Sequence, residues 1–161
     1  MDFMMWATRS IHVFSAVIWV GGLLYMGGVL YPVYRHEKMT VSAHYVRIEM
    51  RFLGFVWMCV WTTAITGIFL MLFSPHFVFG QYRMEWDYLL LFKQIVYVVM
   101  VAVAMSGTKI VKTMETVVQS AQPGELEQRL LTLHQKMLKR RRLNLALGIV
   151  IILISTSLLA R

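Results

Sequence analysis

His12 is the first side chain in this sequence whose type and setting suit chemistry. It stands at the mouth of an uncharged run, HVFSAVIWVGGLLYMGGVLYP. At helical steps of three and four from it come Ser15, Ala16, Trp19, Gly22, Leu23 and Met26. Gly21, Gly27 and Gly28 add to this small-residue surface. In a membrane helix, small residues let another backbone or a flat ligand come close. Two readings follow. In one, the stripe packs on a neighbouring helix and His12 is hydrogen-bonded there. In the other, His12 is an axial ligand of haem iron, with Ser15, Trp19 and Gly22 beside the flat group.

Lys93 is the second candidate. It is the one formally charged residue well inside an apolar run, about five residues from the start of that run at Tyr88. Either its long stem carries the ammonium to the membrane surface, or it meets an acidic ligand group such as a haem propionate, or ligates iron as a neutral amine. Thirteen methionines make copper the alternative cofactor, since thioether and imidazole both suit it. Met4, Met5, Met71 and Met84 fall near the same end as His12 but follow no M-x-x-M spacing. Phosphate-binding glycine loops, H-E-x-x-H and nucleophile–base pairs are missing from the sequence. No acid is expected within a helix core, which argues against a proton-relay carboxylate. Cys59 is the only cysteine, so an internal disulfide is excluded and core packing is its expected role.

These residues need elements to hold them. Hydrophobic residues make up 58% of the 161 and charged residues only 15%, too apolar for an ordinary soluble domain of this size. No charge occurs between Arg9 and Arg35, nor between Arg51 and Arg83. The runs Tyr88 to Thr108 and Leu143 to Ala160 follow. About 20 apolar residues cross a bilayer as a helix. The expected fold is therefore an all-α, polytopic, four-transmembrane-helix bundle forming one domain. Its helices are placed roughly at 10–31, 49–73, 88–112 and 143–160, with a helical connection at 125–142. Pro32 is expected to end the first helix, and Pro123 marks a break. In the connection, Leu126, Leu130, Leu133 and Met137 share one helical face.

The net charge of +8 is distributed by side. Arg35, Lys38, Arg47 and Arg51 lie in the first connection, and eight bases lie from Lys109 to Arg142, including the run Lys139 to Arg142. The middle connection sets Arg83 against Glu85 and Asp87. The positive-inside rule then makes the basic connections cytoplasmic and both termini external. The basic run is read as topology and attraction to anionic lipid, not as a nucleic-acid surface. His36, His44 and His134 fall on the cytoplasmic side, so His76 is the histidine that could join His12 as a second metal ligand.

The first run resembles the opening helix of the copper-resistance protein D (CopD) domain family: a histidine, W-x-G-G-L and a closing proline. Arg51-Phe52, Thr66-Gly67, Lys93 and the R-x-N-x-x-L-G stretch at Arg142, Asn144, Leu147 and Gly148 extend the resemblance over all four helices. The plan is also similar to HemJ-type protoporphyrinogen oxidases, haem-b membrane proteins with a functional histidine in helix one and lysine in helix three. His12 and Lys93 match those positions. The chain departs from that group at Met105-Ser106-Gly107, where a histidine is absent, and it lacks an N-E-x-P type motif before helix four.

Together these point to an integral haem-b protein of the bacterial inner membrane, carrying out electron transfer near the outer face as a possible oxidoreductase. A quinone or a redox partner protein would exchange the electron. The alternatives are copper handling of the CopD type, a HemJ-like protoporphyrinogen oxidase, and a structural subunit of a larger membrane complex. The lipid bilayer is the first partner, and a homo-oligomer or larger complex is open.

Overall fold

A computed structural model describes residues 2–36, 43–73, 85–120 and 123–159, and all of these but Phe73 are helical. The helices are α1 (Asp2–Tyr25), a π-helical turn (Met26–Leu30), α2 (Tyr31–His36), α3 (Ala43–Leu72), α4 (Glu85–Ser120) and α5 (Pro123–Leu159). Four long rods close into a ring. Helix α1 packs on α3, α3 on α4, α4 on α5, and α5 returns to α1.

Three helical stretches are long and apolar enough to cross a membrane: Phe3–Val33, Ala43–Leu72 and Tyr88–Ser120. Their outward faces are apolar. Phe14, Phe55, Trp61, Ile65 and Val98 are all more than half exposed. A continuous coat of that kind suits hydrocarbon as the solvent. The fourth rod, α5, is not among the three. Its first 20 residues carry many charges, and its apolar part runs only from Leu143 to the end of the described residues.

The rods are longer than the apolar runs, because polar flanks continue the helix once its interior is nucleated. Pro32 does not end the first helix. The backbone widens just before it: the Tyr31 N–H bonds the Met26 carbonyl five residues back. The π turn absorbs the register change, and the chain continues through Pro32 to His36. Pro123 opens α5, where its missing N–H costs nothing. The connection expected at 125–142 and the helix expected from Leu143 are one rod.

The interior has two apolar clusters. Trp19, Leu23, Val56, Cys59, Val60, Val96, Met100 and Ala104 form the larger. Tyr45, Val46, Val111, Met114, Leu130 and Met137 form the smaller, at the basic end. Leu126 and Leu133 pack against this second cluster, so the shared face read in the connection is the buried one. Glycines set the closest approaches. A Cβ on Gly148 would lie 2.8 Å from Val20 Cγ2, and one on Gly22 would lie 2.9 Å from the Phe52 ring.

Candidate functional site

At the end of the bundle holding the N-terminus, α1 brings the half-buried His12 against the last turns of α3. Its Nδ1 lies 2.9 Å from Thr66 Oγ1. A Cβ on Gly67 would stand 3.2 Å from His12 Cε1, so a glycine is what lets the ring seat there. The next bond along bears on the protonation state. Thr66 Oγ1 donates to its own helix, to the Thr62 carbonyl at 2.6 Å, with the Thr63 carbonyl at 3.3 Å as a second acceptor. A hydroxyl has one proton. With that proton on the backbone, the Thr66 oxygen is free to accept from His12 Nδ1, and the Thr63 backbone is a further hydrogen-bond partner of the ring. A neutral imidazole with its hydrogen on Nδ1 keeps its lone pair on Nε2, the form that binds a metal or takes a proton.

Lys93 lies half-buried on α4. The neighbouring Gln94 donates to Met71 Sδ at 3.0 Å, which ties the start of α4 to the end of α3. Ser15 is buried, and its hydroxyl donates to the Ile11 carbonyl at 2.5 Å. Trp19 is 3% exposed within the larger core, edge-on to Tyr97 at 6.1 Å between centroids. Gly22 faces Phe52. Thus His12 and Lys93 share one end of the bundle, while Trp19 and Gly22 lie deeper, engaged in helix packing. His76 and Met84 fall outside the described residues. Among the described residues, no group of three or more His, Cys, Asp or Glu side chains is placed to hold a metal.

A polar layer at the basic end was missed by the sequence reading. Glu49 is 2% exposed, although the sequence places no acid within a helix core and puts Glu49 at the start of the second helix. Helix α3 starts at Ala43, so Glu49 lies well within it. One carboxylate oxygen accepts from Arg141 Nη2 at 2.7 Å and the other from Tyr45 Oη at 2.5 Å. Arg141 also lies over the Phe52 ring, 5.6 Å from its centroid. This corrects the reading of Lys139 to Arg142 as wholly a topology and lipid signal: Arg141 is buried in an ion pair. His134, beside it on α5, lies between Tyr31 and Tyr45 at 5.0 and 5.1 Å. Burial, assisted by the Arg141 charge, pushes its pKa down to about 4.

A signal for this layer was present in the sequence. The stripe Leu126, Leu130, Leu133, Met137 continues at helical spacing through Arg141, Asn144 and Gly148. Arg141 is the base in the run that falls on the buried face.

Compared with known protein families, with curated proteins and with solved structures, the chain matches none.

Proposed function

We propose that the chain is an integral membrane protein of the bacterial inner membrane that holds haem b at its outer end and passes single electrons there. One observation carries the proposal: the His12–Thr66–Thr62 chain of hydrogen bonds, which suits an imidazole with its hydrogen on Nδ1 and its lone pair on Nε2. Ligating histidines are commonly oriented in this way, with the other ring nitrogen donating to a fixed acceptor. The donor set fits. His12 would be the axial ligand, and Lys93, a cation at the same end, would meet a propionate. A bound haem supplies a one-electron couple. Thr66 holds the imidazole in the ligating tautomer, and Gly67 gives the ring its seat.

The fourth crossing belongs to this reading. Helix α5 returns along α1, where Gly148 meets Val20, and Leu145, Leu147 and Ile151 pack against the same apolar core as the three long apolar stretches. With α5 spanning as well, both termini lie outside and the basic connections lie inside.

Metal analysis of the purified protein tests the cofactor. Iron at one per chain, with protohaem extractable, is the expected result. Stoichiometric Cu(I) with no iron would replace this reading with copper handling. A metal-free protein that co-purifies with large partners would make it a structural subunit.

A further inference from the structure

The basic end contains a pocket that the proposed redox site does not use. It measures about 60 Å³ and is walled by Leu23, Phe52, Val56 and Ala104. Leu53, Val103, Gly107 and the exposed Arg140 also line it. Two buried polar atoms belong to residues that line it and find no hydrogen-bond partner among the described residues: Arg141 Nη1 and Asn144 Oδ1. Arg141 is 8% exposed and Asn144 3%. A buried guanidinium nitrogen without an acceptor is costly, since charged donors lose more than neutral ones when left unmade. The Glu49 carboxylate does not answer it: the bond it accepts from Arg141 comes from Nη2. A second cation stands at the mouth. Arg140 is exposed and is held by donating to Ser106 Oγ at 2.6 Å. The rim between them is open: nothing lies within 4 Å of where a Gly107 Cβ would be.

We propose that this pocket binds the anionic headgroup of a membrane phospholipid. Its phosphate oxygens accept from Arg140 and from Arg141 Nη1, and its acyl region lies along Phe52, Leu53 and Val103. A headgroup hydroxyl or a bridging water donates to Asn144 Oδ1. This partly open space of about 60 Å³ admits a phosphate-sized group and not a whole lipid, which is why the apolar flank matters. The flank favours a lipid over a free anion, since inorganic phosphate gains nothing from those walls. The pocket also lies at the end where basic residues concentrate, which is where anionic lipid is attracted. The site is independent of the cofactor at His12.

Native mass spectrometry of the full chain, released from bilayers of phosphatidylcholine with phosphatidylglycerol, tests the proposal. The wild type is expected to retain one phosphatidylglycerol in preference to phosphatidylcholine, and millimolar inorganic phosphate should leave it bound. Gly107→Leu fills the rim without removing a charge. Arg140→Gln should lower retention about tenfold, the effect of losing one charge-assisted contact, and Gly107→Leu should lower it at least as far by occupying the space the headgroup needs. Arg129→Gln, which removes a distant exposed base paired with Glu125, should not. Helicity and gel-filtration behaviour confirm that each variant is folded. Equal retention of both lipids, full retention by folded Gly107→Leu, an equal loss in Arg129→Gln, or displacement by inorganic phosphate would each overturn the assignment.

Discussion

At the scale of single residues, two histidines have opposite fates. His12 meets the Thr66 hydroxyl, so Thr66→Val removes the side-chain partner of the ring. Loss of such an outer partner lowers metal affinity by about 10- to 100-fold. Haem titration of the Thr66→Val apoprotein should show that weakening with the fold intact, and unchanged affinity would mean that the hydrogen bond only packs. His134 is caged and neutral. Its pKa is about 4 in the folded chain against an ordinary 6.5. Between those values the unfolded chain binds the extra proton and the folded chain does not. Stability therefore falls as pH drops from about 6.5 towards 4 and levels off below. Thermal melts of His134→Phe should lose that part of the pH dependence; an identical slope would show that another group carries it. His12 was legible from its place in the uncharged run. Its partner was not, because periodicity orders residues on one helix and says nothing about which face of a second helix meets them. Thr66-Gly67 entered the sequence reading only through a family resemblance.

At the scale of elements, a polar layer of Glu49, Arg141 and Asn144 separates two apolar clusters along the bundle. Breaking a buried ion pair leaves one charge uncompensated, at about 3–5 kcal/mol. Glu49→Gln should therefore lower the melting temperature substantially in detergent, and the double change Glu49→Leu with Arg141→Met should restore most of it. A Glu49→Gln melt equal to wild type would remove the pair from the stability account. The closest helix approach gives a second test. Gly148→Ala places a methyl against Val20 and should cost about 1–3 kcal/mol through overpacking. The apolar runs and the face of Leu126 to Met137 were readable from periodicity alone. The ion pair was not, because Glu49 and Arg141 are 92 residues apart and three exposed bases flank Arg141. The passage of the first helix through Pro32 was equally hidden, since a π turn leaves no local composition signature.

At the scale of the whole molecule, the helices are apolar on both sides: aromatic and aliphatic side chains coat the outside, and the interior is apolar except for the layer around the Glu49–Arg141 pair. That arrangement suits a bilayer, and the distribution of bases gives the proposed orientation. In a Cys59→Ala background, Asp2→Cys should react with a membrane-impermeant maleimide in intact cells, and Glu125→Cys should react only after lysis. The reverse pattern would invert the topology and move His12 to the cytoplasmic end. Whether His12 ligates haem is read from the absorption spectrum of the purified protein. Wild type should show a b-type Soret band that shifts on reduction, and folded His12→Ala should lack it. A colourless wild type that shows no spectral change when haem is added, or a His12→Ala protein with the band unchanged, would contradict ligation by His12.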